Sequence, residues 1–282
     1  MNTSNDTAEK AARFAELHQR PGAFVLPNPW DVGTARLLHG LGFEALATTS
    51  AGMAYALGRP DGEGAVTRDE AIAHARSLVE ATPLPVSADL ENCFGDDAET
   101  VAETVSMAAE AGLAGCSVED ATGDRARPIY DFGHAVERVA AAVEAARSVG
   151  RPFVLTARSE NFLHNRPDLD DTIARLQAFE AAGADVLFAP GLADMESIRA
   201  VCAAVSCPVN VVMGLAGGAF SVDQLGDAGV KRVSLGSSLS RAALGGFLRA
   251  AREVRESGTF TFAADAVPFS EMQHLMSGKP SS

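Results

Sequence analysis

Residues 85–120 read PVSADLENCFGDDAETVAETVSMAAEAGLAGCSVED. A short apolar run closes on acids at Asp89 and Glu91, and an amphipathic stretch rich in Ala and Glu follows from about Ala98. Gly112 stops that stretch, and a second apolar run closes on Glu119 and Asp120. The pattern is strand, helix, glycine stop, strand.

The same unit recurs in both directions. Apolar runs begin at Ala23 (AFVLPN), Ala45 (ALATTS), Pro152 (PFVLTARSE), Val186 (VLFAPG), Pro208 (PVNVVMG) and Arg232 (RVSLGSS). Amphipathic stretches such as DTIARLQAFEAAGA separate them, and LGFEAL, AGADVL and AGVKRV repeat the glycine stop. Eight β-then-α units without an interrupting domain predict an α/β fold, a (β/α)8 (TIM) barrel. A doubly wound open sheet would carry a Gly-rich fingerprint after its first strand, and LPNPWDVG is not one. The expected division is a barrel with an N-terminal helix over 1–256 and an added C-terminal segment over 257–282. In that segment Phe260, Phe262, Phe269 and Met272 have no obvious place in a complete barrel, so it is expected to pack on a neighbouring subunit of a homo-oligomer, with a lid within its own chain as the alternative.

The chain has 282 residues, 47% hydrophobic and 21% charged, which suits one large globular domain. A formal net charge of −14 leaves no basic footprint for nucleic acid and disfavours an anionic membrane surface. An anionic substrate stays possible where a metal or a few Arg residues reverse the field in one cleft. Cys93, Cys116, Cys202 and Cys207 show no C-x-x-C spacing, which reads as reduced thiols. The opening MNTSNDTAEKAARFAEL lacks the basic and apolar regions of a signal peptide, and no apolar run is long enough to span a bilayer. The expectation is a soluble, cytoplasmic protein.

Barrel active sites lie at the C-terminal ends of the strands. Those ends are Asn28, Thr49 with Ser50, Asp89 with Glu91, Glu119 with Asp120, Arg158 with Glu160, Pro190, Asn210, and Ser234 to Ser238. Alternate side chains of a strand share a face, so Asp89 and Glu91 are expected to point together, as are Ser117 and Glu119. Three carboxylates converging in a barrel mouth raise one another's pKa unless a cation is present, and hard oxygen ligands suit Mg2+ or Mn2+. Acids near strand ends also cap helices, as Asp96 and Asp97 are expected to do for the helix starting near Ala98, and Asp120 is open to either role. Two other classes remain. GLAGGAFS and SLGSSLS, after the seventh and eighth strands, suit the phosphate of a metal-free isomerase or synthase, which would leave the acids without a purpose. A ligand-sensing barrel would bind metal without turnover.

DLENCFG, from Asp89 to Gly95, resembles the D-x-D-x-G-[FY]-G stretch of the isocitrate lyase and phosphoenolpyruvate mutase superfamily. TTSAGMAYALGRPD after the second strand, VEDATG after the fourth and TARSE on the fifth extend the resemblance over nearly the whole barrel. It implies a divalent ion, Mg2+ or Mn2+, bound directly by Asp89 and reached through water by Glu91 and Glu119, with Asp61 as a further metal-side acid. It also implies that Arg158 grips the substrate and that the backbone at Thr49 and Ser50 seats its carboxylate. The implied chemistry is a metal-stabilised enolate of a 2-oxo acid, formed as an adjacent C–C or C–P bond breaks or forms. The implied assembly is a homotetramer with exchanged C-terminal helices.

The sequence departs from that family after the fourth strand. Its isocitrate and methylisocitrate lyases carry a K-[KR]-C-G-H loop there, with a Cys that protonates the product; here the loop reads DATGDRARPIYDFG. Cys93 and Cys116 do not match that Cys and read as small buried hydrophobes. Pro190 stands where those lyases place a substrate-binding Glu, and Asn210 lies near an expected polar position. The Lys used by the mutase and phosphonopyruvate hydrolase branches is also missing, leaving Arg125, Arg127 and Tyr130 as the nearest polar groups. His134 is expected to start or cap the next helix, and His164 in ENFLHNRPD is a better placed substrate-binding or acid–base candidate. The combined reading is Mg2+-dependent cleavage beside a 2-oxo acid on a small carboxylate substrate, by decarboxylation, retro-aldol lysis or hydrolysis, with C–P chemistry as the alternative within the family.

Overall fold

The computed structural model describes residues 3–215 and 218–277. Its elements alternate as the apolar runs require: α1 (Thr3–Leu17), β1 (Phe24–Leu26), α2 (Val32–Gly40), β2 (Leu46–Ala47), α3 (Ser50–Ala56), α4 (Arg68–Ala81), β3 (Val86–Asp89), α5 (Ala98–Glu110) and β4 (Gly115–Glu119). The second half continues with α6 (Phe132–Arg147), β5 (Val154–Arg158), a 3-10 turn over Asn161–His164, α7 (Leu169–Ala181), β6 (Val186–Phe188), α8 (Met195–Ala204), β7 (Val209–Val212), α9 (Val222–Asp227), β8 (Arg232–Ser234), α10 (Ser238–Ser257) and α11 (Phe269–Met276). The strands are parallel in the order β1-β8-β7-β6-β5-β4-β3-β2, a nearly closed (β/α)8 barrel. All eight predicted strands are present.

The seam lies between β1 and β2. There the Ala47 N–H donates to the Pro27 carbonyl at 3.0 Å, and the Asn28 amide donates to the Thr48 carbonyl at 2.8 Å. Asn28 Oδ1 in turn accepts from the backbone N–H groups of Leu235 and Gly236, at 2.9 and 2.8 Å. One side chain thus ties the ends of the first, second and eighth strands.

Most of the core lies between the barrel and its helices. A separate apolar cluster of Ala11, Phe14 and Leu17 from α1 packs with Phe24, Val154 and Val186, each the first residue of its strand. Helix α1 therefore plugs the N-terminal end of the barrel. Asp97 caps α5, accepting from the Thr100 N–H at 2.7 Å. Asp96 does not share that task; it accepts the Tyr130 hydroxyl instead. Beyond α10, α11 returns against α2 of its own chain, with Met276 beside Gly33 and Leu275 beside Gly40. Leu244, Phe247, Leu248, Phe260 and Phe269 stay exposed on α10 and the segment after it. No described helix is long and apolar enough to cross a membrane.

His18, just after α1, is buried between the rings of Phe14 and Phe24. Its Nδ1 lies 2.8 Å from the Phe14 carbonyl, which can only accept, so the proton sits on Nδ1 and the Nε2 lone pair faces Arg232 Nη1 at 3.3 Å. Burial first, then the charges of Arg232 and Lys231, push its pKa from 6.5 down to about 3. In that window the unfolded chain binds a proton that the native state refuses. Stability is therefore fully present above about pH 6.5 and falls with pH towards 3, by at most about 1.4 kcal/mol per pH unit. Urea unfolding of wild type and His18→Gln at pH 7 and pH 5 measures this. The wild type is expected to lose more stability over that step than the variant, and equal losses would refute the assignment.

Candidate active site

The register of the barrel builds the site. Glu119 on β4 pairs with Arg158 on β5, and Asp89 on β3 pairs with Ser117 on β4, so the last residues of three neighbouring strands crowd one side of the mouth. The Arg158 guanidinium sits among them. Nη1 is 2.7 Å from Asp89 Oδ1, Nη2 is 3.1 Å from Glu119 Oε2 and Nε is 2.8 Å from Glu160 Oε1. Its face covers the Phe188 ring at 5.3 Å. Burial alone would lower the Arg158 pKa; Glu160, Glu119 and Asp89 outweigh it and raise that pKa well above the ordinary value. The expectation of acids with little to neutralise them is thus modified, because the chain supplies one cation itself.

One cation does not balance the cluster. Glu91 is pushed up to about 7 by burial and then by Asp89 and Asp61. Glu119 is raised well above the carboxylate range, chiefly by burial, with Arg158 opposing. Asp61, at the rim, is raised by desolvation and then by Asp89. Among the described residues no three His, Cys, Asp or Glu side chains form a ready cage for a metal ion. Mg2+ needs no such cage, since it keeps several waters and takes one or two carboxylates directly. A hard-oxygen donor set in which burial first and neighbouring acids second raise Glu91 and Asp61 fits a divalent ion.

Glu91 does not reach this cluster by strand pleating. Strand β3 ends at Asp89, and Glu91, Cys93 and Phe94 have φ of 50°, 60° and 63°, a left-handed backbone that side chains rarely adopt. Arg138 of α6 holds this turn. It is fully buried, stacks 4.3 Å over the Tyr130 ring, and donates to the carbonyls of Asn92, Gly95 and Asp96. No spacing rule in the sequence links Arg138 to those carbonyls, 42 to 46 residues away.

The other expected residues fall in several places. Thr49 caps α3, accepting from the Gly52 N–H at 3.3 Å, and the Ser50 N–H makes a long 3.4 Å contact with Asp89 Oδ2. Asn210 sits two residues before the end of β7, below the rim, and bonds Ser234 and Arg232. Pro190 lines the same cavity as Asp89 and Arg158. His164, on the 3-10 turn, lines a neighbouring groove shared with Glu91 and Glu119. Asp120 is buried, accepting from the Glu160 N–H at 2.7 Å and from Arg175 at 3.2 Å, so it anchors the backbone beside Arg158. His134 lies in the first turn of α6, with Nε2 2.9 Å from the Asp96 carbonyl. The loop after β4 folds back on itself through the Ala121–Ile129 bridge, with Arg125 on its surface paired to Glu63 and Arg127 beside Asp124. Both Cys93 and Cys116 are fully buried, and burial pushes Cys93 up to about 12. Of the two Gly-rich loops, the amides of Leu235 and Gly236 are already taken by Asn28, and Ala216 and Gly217 lie outside the described residues.

A family model described as phosphoenolpyruvate phosphomutase matches residues 14–255. The 2-methylisocitrate lyase of Escherichia coli K12 is 32% identical over 223 residues, 74% of each chain. The oxaloacetate decarboxylase of Paraburkholderia xenovorans LB400 is 32% identical over 204 residues, 70% of this chain and 66% of its own. Among solved structures, a Burkholderia cenocepacia J2315 protein provisionally called a lyase/mutase is 60% identical, with a TM-score of 0.93 over 96% of both chains.

The turn after β3 gives a direct test. Arg138→Met keeps the aliphatic volume and leaves three inward carbonyls without their charged donor. A loss of about 3 kcal/mol or more in urea unfolding is expected, because hydrogen bonds from a charged donor contribute about 1.5–3 kcal/mol each. A loss under about 1 kcal/mol, the scale of an ordinary point substitution, would show that the turn holds without Arg138.

Proposed function

Because the chain belongs to the phosphoenolpyruvate mutase/isocitrate lyase superfamily, we propose that this enzyme is a Mg2+- or Mn2+-dependent lyase that cleaves a bond next to a 2-oxo acid in a small carboxylate substrate. The observation that carries the reading is the Arg158 guanidinium among Asp89, Glu119 and Glu160 at the barrel mouth. Asp89 would hold the ion directly, and Glu91, Glu119 and Asp61 would hold its waters. When bound, that ion supplies Lewis-acid stabilisation of the negative charge that develops on the substrate as the bond breaks.

The chain's own groups do the rest. Three of the five guanidinium N–H groups of Arg158 face carboxylates, which fixes the orientation of the remaining two towards a substrate oxygen. The backbone at Thr49 and Ser50 seats the substrate carboxylate. His164, which lines the groove shared with Glu91 and Glu119, is the acid–base candidate in a chain whose β4–α6 loop has neither Cys nor Lys. That missing Cys argues against isocitrate or methylisocitrate cleavage and favours decarboxylation, retro-aldol lysis or hydrolysis. The relative named oxaloacetate decarboxylase supports the first of these. Cleavage of a C–P bond is the second reading, favoured by the phosphomutase family model.

Calorimetry with Mg2+ is expected to show one site per chain that Asp89→Ala abolishes; unchanged binding would remove Asp89 from the metal. A Mg2+-supplemented panel of oxaloacetate, 2-hydroxy-acid adducts, phosphonopyruvate and methylisocitrate tests the reaction. Pyruvate release from a carbon substrate is expected, lowered about a thousandfold by Asp89→Ala or Arg158→Ala, the scale of losing one preorganised charge-stabilising group. Turnover of phosphonopyruvate alone would select C–P chemistry, and rapid turnover of methylisocitrate would overturn the argument from the missing Cys. Metal binding with every substrate intact would select a sensing role.

We also propose that residues 257–282 serve assembly, with the exposed Phe247, Leu248, Phe260 and Phe269 covered by a second copy and the C-terminal helix exchanged in a tetramer. Residues 278–282 of this segment lie outside those described. Light scattering at micromolar concentration is expected to give a tetramer; a monomer would refute the assembly.

A further inference from the structure

A filled barrel is packed by layers of bulky branched side chains. This one is not filled in that way. Ala47, Ser87, Ser117 and Thr156 line a cavity of about 170 Å³ that runs from Ser50 and Asp89 at the mouth down to Arg232. Arg232 opens β8 and is only 4% exposed. Its Nε donates to Asn210 Oδ1 at 2.9 Å, its Nη2 to Thr156 Oγ1 at 2.9 Å, and its Nη1 faces His18 Nε2 at 3.3 Å. All three partners are uncharged at neutral pH.

Two guanidiniums therefore border one cavity in opposite electrostatic states. Arg158 is surrounded by three carboxylates, whereas among the described residues Arg232 has no carboxylate partner. Burial, with no acid opposing it, lowers the Arg232 pKa to about 9. A buried cation solvated only by neutral groups is costly, and a guanidinium has five donors, of which three are engaged here. An anion entering the cavity is repelled by the acids at the mouth unless a metal neutralises them, and is attracted by the floor.

We propose that Arg232, with Thr156 and Asn210, forms a buried carboxylate-binding subsite at the floor of the barrel cavity, beneath the Asp89–Arg158 cluster. A planar carboxylate matches the guanidinium fork. The hydroxyl of Ser87, which lines the same cavity, supplies a further donor. The carboxylate comes either from the far end of a ligand already held at the mouth or from a free small acid. The subsite is independent of the reaction proposed above, since it is read out by binding alone.

Calorimetry with acetate and with succinate, each with and without Mg2+, on wild type, Arg232→Met, Arg232→Lys and Ser87→Val provides the test. Wild type is expected to bind at least one of the two acids. Arg232→Met is expected to weaken that binding at least about tenfold, and Arg232→Lys to weaken it less, because the charge remains. Ser87→Val leaves the guanidinium in place, narrows the same cavity and removes a hydroxyl from its wall, so it too is expected to lose binding. Succinate bound well above acetate identifies the far carboxylate of a longer ligand; equal binding identifies a free small acid. No binding of either acid to wild type overturns the subsite. So does undiminished binding by Arg232→Met, even with a lowered melting temperature, since Arg232 would then serve only the core. Should circular dichroism show Arg232→Met unfolded, Ser87→Val decides, and unchanged binding by that variant overturns the proposal.

Discussion

The mouth of this barrel depends on one guanidinium. Arg158 holds Asp89, Glu119 and Glu160 at distances of 2.7 to 3.1 Å, and those acids would otherwise repel one another across a half-buried space. Parallel register supplies the juxtaposition, since Glu119 and Arg158 are ladder partners at the ends of adjacent strands. The supports lie one layer out. Asp120 takes the Glu160 N–H, Arg175 holds Asp120, and Arg138 holds the turn that carries Glu91. Each support is a buried Arg or Asp that spends its charge on hydrogen bonds, Asp120 and Arg175 with each other and Arg138 through Nη1 and Nη2 on three carbonyls.

The fold was legible because parallel strands buried on both faces read as continuous apolar runs, and most helices between them, though not α4 or α8, are followed by a glycine. The acids at the strand ends were legible for the same reason: once β3, β4 and β5 are placed, Asp89, Glu119 and Arg158 follow. What the sequence hid was everything not governed by period. The left-handed turn through Glu91, Cys93 and Phe94 carries no glycine at those positions, so nothing local announces it. Its stabilising contacts come from Arg138, on another helix. Strand alternation put Asp89 and Glu91 on one face, but the strand had already ended. Asn210 was read at a strand end and lies deeper, because β7 continues to Val212. Arg232 stood in plain view in RVSLGSS and drew no notice, since a basic residue opening a strand is ordinarily at the solvent-facing end.

The loop after β4 shows how a family position can change character while the frame stays. Its chain is folded on itself by the Ala121–Ile129 bridge and tied down where Tyr130 reaches Asp96 and its ring receives Arg138. Its polar groups are spent on local structure: Arg125 pairs with Glu63, Arg127 with Asp124, and the Thr122 hydroxyl with backbone carbonyls. Chemistry that needs a reactive side chain from this loop has little to draw on.

The clasp at Asn28 makes the barrel unequal around its circumference. Between β4 and β5 the ladder runs through five residue pairs, whereas β1 and β2 are joined by one backbone bond and one amide side chain. A ring with one thin link deforms there first. The acids and Arg158 sit on the stiff arc, and Thr49 and Ser50 stand beside the thin one. The wall that carries the charges is therefore the more firmly laddered part of the ring, and the backbone at Thr49 and Ser50 borders its least firmly laddered part.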